Sequence, residues 1–256
     1  MSVVIDIFER MFEYGGMSST SAVVAAVAGT SGGPGGAASE TVRELQARIR
    51  RMQATKLDTR SITTHSAIAE LLPGGALKEG ASYSVERSMT LLMVLLAGPS
   101  AAGSWCGVVG IPEFGVEAAA AQGIALDRLA LVPHPGEHWL TVVAALADVL
   151  SVVAVRPPKR AGDAAVARLN ARIRRRGSTL VVLGEWPQSE AVLSLSESRW
   201  SGVGNGHGYL AARQATVTVS ARSGRPRSGK LWLPDSEQRF RPVAAQQLPA
   251  LQRAAG

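Results

Sequence analysis

From residue 60 onward, short apolar runs alternate with longer helical ones. "ASYSV" (81–85), "SWCGVVG" (104–110), "LALVP" (129–133), "LSVVAVR" (150–156) and "STLVVLGE" (178–185) are compact and apolar, as strands buried on both faces are. Between them lie "ERSMTLLMVLLA" (86–97), "GVEAAAAQG" (115–123, closed by Gly123), "GEHWLTVVAALAD" (136–148) and a helix from Asp163 to Arg176. Strands alternating with helices predict an α/β fold, with a mostly parallel sheet flanked by helices. After residue 186 the pattern changes. "AVLSLSES", "QATVTVSAR" and "GKLWLPD" are β-prone, with Gly and Pro between them, and predict C-terminal antiparallel strands that extend the sheet.

The first 60 residues read differently. "MSVVIDIFERMFEYGG" (1–16) carries Asp6, Glu9 and Glu13 among its apolar residues, so it lacks the basic start and unbroken apolar centre of a signal peptide. "GTSGGPGGAA" (29–38) has linker composition, and residues 1–38 are expected to be a flexible N-terminal segment. Ser39 is placed as an N-cap. Val42, Leu45, Ile49 and Met52 then recur at helical spacing among Arg43, Arg48, Arg50 and Arg51. Residues 39–60 thus predict a basic amphipathic helix and linker, with Val42, Leu45 and Ile49 as candidate partner contacts. The core domain is expected over 61–240, and a C-terminal tail over 241–256.

Charge adds a partner class. The 256 residues hold 27 Lys+Arg against 20 Asp+Glu, a formal net charge of +7. Such an excess fits nucleic acid or an acidic protein face, although most surface cations are simply solvated. The densest basic run, "NARIRRRG" (170–177), makes Arg172, Arg174, Arg175 and Arg176 candidate nucleic-acid contacts, together with Arg225, Arg227 and Lys230. A solvated helix face or an acidic protein contact explains the same helix equally well. Trp186, in a Gly-Glu-Trp-Pro turn, is a candidate partner anchor, with burial in the core as the default. Cys106 is the single cysteine, which excludes an intrachain disulfide and a cysteine-based metal site. No apolar run approaches a membrane span. These features predict a cytoplasmic protein without membrane contact.

Candidate chemistry is sparse. His134 and His138 are separated by Pro135 and Gly136, so they suit a turn and helix start better than a metal pair. The glycines of "GVGNGHG" (202–208) have no strand–turn–helix context and predict a tight loop. A phosphate-binding P-loop needs G-x-x-x-x-G-K-[ST] between a strand and a helix. "GRPRSGKL" (224–231) has the glycines and Lys230, but Leu231 replaces the metal-binding hydroxyl and β-prone runs flank it, so a basic hairpin loop is expected. "GPSAAGSW" (98–105) lacks Lys and runs from helix to strand. The right topology occurs at Val85, Glu86, Arg87 and Ser88, where the glycines and Lys are missing. Glu86 there is expected to repel a triphosphate and to occupy the positive helix end itself. No cofactor and no enzymatic activity are therefore expected.

The residues around this junction resemble a known family. "TTHSAIAELLPGGALKEGASYSV" (63–85) is similar to the approach to the P-loop strand of the RecA core. In "CGVVGIPEFGVEAAAAQGIALDRLALVPHPGEHWLTVVAAL" (106–146), Gly123, Ile124, Leu126, Asp127 and Leu129 carry a RecA-like turn between helix and strand. The resemblance runs from about residue 40 to 235 and weakens after 186. "VVGIPEFGVEAAAAQGI", "VVAVRPP", "VVLGEWP" and "GNGHGYLAARQATVTV" resemble the actinobacterial ImuA-type (ImuA-prime) proteins within that superfamily. That implies a RecA-like accessory protein of damage-induced mutagenesis (translesion DNA synthesis), nucleoid-associated during DNA damage. It also implies as partners an ImuB-type pseudo-polymerase and, indirectly, an error-prone replicative-type polymerase. The chain departs from a working RecA ATPase. "LSVVAVR" ends in Arg156-Pro157-Pro158 where a Walker B carboxylate belongs, and Glu113 stands at the catalytic glutamate's place. "VRPPKRAGD" and "GEWPQSEA" are short for DNA-binding loops. The leading expectation is a non-catalytic adaptor, with self-association through the 39–55 helix as a further reading. The alternative is a direct DNA-binding protein or a modulator of the RecA recombinase filament.

Overall fold

The computed structural model describes residues 60–204 and 207–243. The helix expected over 39–55, with Val42, Leu45 and Ile49, the segment 1–38 and most of the 241–256 tail lie outside the described residues.

A two-stranded ribbon opens the fold: β1 (Ser61–Ile62) pairs antiparallel with β2 (Leu77–Lys78) around the short helix α1 (Ser66–Ala69). The main series follows as β3 (Ser82–Val85), α2 (Met89–Ala101), β4 (Cys106–Val109), α3 (Val116–Ala121), β5 (Leu129–Val132), α4 (Trp139–Ala147), β6 (Val152–Val155), α5 (Asp163–Arg176) and β7 (Thr179–Leu183). The long hairpin β8 (Ala191–Gly204) and β9 (His207–Ala221) comes next, then β10 (Arg227–Trp232) and β11 (Arg241–Pro242). The nine-stranded sheet has the order β11-β10-β9-β8-β3-β7-β6-β4-β5. Strands β8 through β5 in that order are parallel, and β9, β10 and β11 continue antiparallel. Arg241–Pro242 is thus an edge strand, and the tail boundary expected after 240 falls too early.

Side-chain alternation explains the layering. Successive strand residues point to opposite faces. In β6, Val152 and Ala154 join one core while Val153 and Val155 join the other; in β7, Val181 and Leu183 oppose Leu180 and Val182. The first core is closed by α1, α2 and α3, the second by α4 and α5. Helix α2 is buried from Leu91 to Ser100, which accounts for an apolar run without a polar stripe. It packs closely on the segment before α1, because a Cβ on Gly98 would stand 2.2 Å from the His65 backbone nitrogen. Amphipathic α5 buries Val166, Leu169, Asn170 and Ile173 and ends on Gly177, whose φ of 73° forms a left-handed C-terminal cap. No helix among the described residues is long and apolar enough to cross a membrane.

Candidate functional site

In open α/β sheets, ligands bind in the crevice at the carboxyl ends of the strands, where the chain reverses its direction of winding. Here that crevice is a cleft of ≈ 480 Å³ lined by Arg87, Met89, Glu113, Arg156, Leu183 and Gly184. A second hollow of ≈ 510 Å³ shares Leu183 and Gly184 and runs along Pro157 to Ala161 and Glu185 to Pro187.

The β3–α2 connection consists of Glu86, Arg87 and Ser88 alone. The Glu86 N–H bonds to the Leu193 carbonyl at 2.9 Å, so this residue still follows the sheet. Arg87 adopts φ 45°, a left-handed conformation that glycine takes without steric cost. The Ser88 hydroxyl accepts the Leu91 N–H at 3.2 Å and caps α2. Ser88, not Glu86, therefore occupies the helix end, which corrects the expectation from the sequence: a hydroxyl at the N-cap reaches an orphan N–H that Glu86, two residues earlier and exposed, does not.

Across the cleft, Arg156 at the end of β6 makes an ion pair with Glu113. Gly110 permits this approach of the two strand ends: its φ is 72°, and a Cβ there would stand 2.6 Å from the Arg156 carbonyl oxygen. The Glu113 carboxyl is held below its ordinary range, first by its own backbone N–H and then by the Arg156 guanidinium. A triphosphate with magnesium does not fit this set of groups. Ser88 already uses the helix end, the short connection holds no nest of glycine N–H groups, and a cation stands where a metal-side carboxylate is needed.

The loop after β7 closes the same rim. The Ser84 hydroxyl accepts the Trp186 N–H at 3.1 Å and shares a 2.7 Å hydrogen bond with Ser189. Trp186 is buried, its ring nitrogen donates to Asn170 Oδ1 at 3.0 Å, and it meets Trp139 edge-on at 6.5 Å. Trp186 therefore takes the default place in the core and is not presented as a partner anchor: the turn folds inward because Asn170 offers the indole N–H a buried acceptor.

The candidate nucleic-acid contacts divide. Arg172 and Arg176 both bind Asp148, Arg176 through Nε at 3.1 Å, and so brace α5 against the end of α4. Arg227 donates to the carbonyls of Glu70 and Leu72 at 3.2 and 3.3 Å. Arg174, Arg175, Arg225 and Lys230 are exposed. The candidates on α5 and those on the β9–β10 turn and β10 belong to different elements, and none of them lines the cleft. Of the "GRPRSGKL" segment, expected as a basic hairpin loop, only Gly224 to Pro226 lie in the turn, and Arg227 to Leu231 belong to β10 and pair with β9. Val203 pairs with Gly208 and Gly204 with His207, so the "GVGNGHG" run forms the β8–β9 hairpin end. Cys106 is buried and its thiol is pushed up to about 12, far from nucleophilic range. Among the described residues no group of three His, Cys, Asp or Glu side chains gathers as a metal site.

Residues missed by sequence pattern alone are Trp200, Val203, Tyr209 and Leu210. They are exposed on the β8–β9 hairpin. The signal was present, since bulky apolar residues flank a glycine run that cannot bury them.

The family model described as the MT3502 N-terminal domain matches residues 70–188, which run from the end of α1 to the loop after β7 and stop short of the hairpin. The uncharacterized protein Rv3395c of Mycobacterium tuberculosis is 35% identical over 125 residues. That match covers 47% of this chain and 61% of the relative, so the chain spans less than two thirds of that relative's length. The solved KaiC-like protein PH0186 from Pyrococcus horikoshii OT3 is similar with a TM-score of 0.50 at 12% identity, over 72% of this chain and 99% of that one. At that identity the likeness concerns the fold, and the fold is a RecA/KaiC-like α/β core with a C-terminal antiparallel extension.

Proposed function

We propose that this chain is a non-catalytic RecA-like adaptor of the ImuA type, acting in damage-induced mutagenesis by binding an ImuB-type pseudo-polymerase without ATP hydrolysis. The observation that carries the non-catalytic half is the Arg156–Glu113 ion pair beside a three-residue β3–α2 connection. The positions at which a RecA ATPase would carry its metal-side carboxylate and its catalytic glutamate are here bonded to one another. The ImuA-type half rests on the resemblance of residues 108–124, 152–158, 181–187 and 204–219 to that family. In this role the chain links the pseudo-polymerase to an error-prone polymerase it does not itself touch.

Two measurements test the reading. ATP with magnesium is expected to leave the melting temperature unchanged, whereas ligand at a hundredfold excess over its Kd would stabilise the fold by about 2.7 kcal/mol. Size-exclusion chromatography with light scattering, without nucleotide, is expected to show a complex with the ImuB-type pseudo-polymerase. A clear ATP shift, or no complex, overturns it.

Exposed Arg174 and Arg175 favour a second reading, direct DNA binding or modulation of the RecA filament. It predicts oligonucleotide binding with a steep salt dependence that Arg174→Glu/Arg175→Glu abolishes.

A further inference from the structure

One element stands away from both cores. The last pairing between β3 and β8 is Val85 with Leu193, yet β8 continues to Gly204. On the other side, the Leu233 N–H meets the Arg213 carbonyl at 2.7 Å and the Arg213 N–H meets the Pro234 carbonyl at 2.8 Å. Among the described residues, no further strand flanks the hairpin beyond that level. The result is a two-stranded arm.

The arm carries Trp200, Val203, Tyr209 and Leu210 at 47, 56, 84 and 55% exposure. A monomer scatters such side chains singly; four on one short arm mark a contact surface. The backbone is shaped to present them. Register shifts fall between Ser196 and Arg199 and between Ser201 and Val203, where bulges re-aim the side chains. Gly202 is required at the second: its φ is 113°, and a Cβ there would stand 2.4 Å from the Tyr209 carbonyl oxygen. The Arg213 guanidinium lies 5.5 Å from the Trp200 ring centroid, and its Nε donates to the Ser198 hydroxyl at 2.7 Å, so the indole is held in place. Arg199, the preceding residue, is exposed on the opposite face of the arm. The nearby carboxylate, Glu197, accepts from the Thr216 hydroxyl at 2.7 Å on the sheet.

We propose that this arm is the element by which the adaptor grips its protein partner, receiving an apolar segment of that partner flanked by carboxylates. The inference rests on the adaptor reading and names its contact surface. Trp, Tyr and Arg, gathered here on one short arm, are the side chains that dominate binding energy at protein interfaces. Arg213 on the Trp200 face and Arg199 on the other give both faces of the arm a positive charge that suits an acidic occupant. Val203 and Leu210 have no stacking face for a base, so a protein segment fits the tip better than nucleic acid.

The test titrates the full chain against the ImuB-type pseudo-polymerase without nucleotide. The arm variant is Trp200→Ala/Tyr209→Ala/Leu210→Ser. The control is Trp105→Ala/Val149→Ser, whose residues are exposed just before the amino ends of β4 and β6. The control is expected to bind as wild type and the arm variant on the order of 30-fold more weakly. Arg199→Glu alone is expected to weaken binding by a factor that shrinks as salt is raised. Wild-type affinity in both the arm variant and Arg199→Glu overturns the proposal and leaves the adaptor reading standing on another surface. Absence of any wild-type complex overturns both. An arm variant that keeps the complex but loses self-association, or binding to a single-stranded oligonucleotide, assigns the arm to a second copy or to nucleic acid and overturns it too.

Discussion

The two halves of the main sheet obey different rules. Strands β4, β6 and β7 bury residues on both faces, feeding two cores. Strands β8, β9 and β10 contribute to the first core alone, through residues such as Leu193, Ala215, Val217, Val219 and Leu231. The opposite face of β9 presents Thr216 and Thr218, in register with Ser196 and Ser194 of β8, and Thr218 shares a 2.8 Å hydrogen bond with Ser228 of β10. A strand buried on both sides has no residue free for anything but packing. A strand with one open face can lengthen and bend without disturbing the core, and the arm grows from that half.

The sharpest test uses two tryptophans. Trp186→Ala removes a buried indole that meets Trp139 and Asn170, and is expected to cost about 3–5 kcal/mol in chemical denaturation. Trp200→Ala is expected to stay within about 0.5 kcal/mol, since its ring is half exposed. Equal losses would break the contrast between the halves. Two glycines sharpen it further. Gly98→Ala is expected to destabilise by about 1–3 kcal/mol, although alanine is the better helix former, because the added methyl group meets the backbone of Thr64 and His65. Gly202→Ala, equally crowded but in the arm, is expected to speed amide exchange in the hairpin while the global midpoint barely moves. The smallest effect is pH-dependent. The Arg172 hydrogen bond, with the nearby charges of Arg172 and Arg176, holds the Asp148 carboxyl below its ordinary range against a partial burial that raises it. A depressed carboxyl contributes stability above its ordinary range and loses it as pH falls through the folded value. Asp148→Asn is thus expected to lower the melting temperature slightly at neutral pH, with the difference vanishing in acid.

The two-sided half was the legible one. Its strands are short apolar runs and its helices carry their own stops, so α5 ends at Arg176 before Gly177 as periodicity predicts. The arm was foreseen as two shorter strands around a glycine loop. Its bulges break the alternation that marks a strand, and "RWSGVG" and "HGYLAA" hide their pairing until both sides are aligned. The missing P-loop was legible from residue types alone. The Glu113–Arg156 contact was not, because it joins ends of different strands brought together by Gly110. The basic helix misled in part for the same reason. Arg172 and Arg176 find their counterion on Asp148, which lies across a strand and a loop from them in the chain. The burial of Trp186 was the default reading, but its acceptor was not legible, because nothing in a Gly-Glu-Trp-Pro turn announces Asn170 beneath it.

The three-residue β3–α2 connection also constrains what this lineage can become. A P-loop cannot be rebuilt there by point substitution, because the pattern is longer than the space between Val85 and Met89. Insertion would have to coincide with replacement of Arg156 by a carboxylate, since each change alone leaves a nucleotide without its full set of ligands. Intermediates would carry a lengthened loop or an unpaired cleft charge with no catalytic return. The cleft is thus held by two features that no single substitution exchanges, whereas the arm and the open face can change one residue at a time.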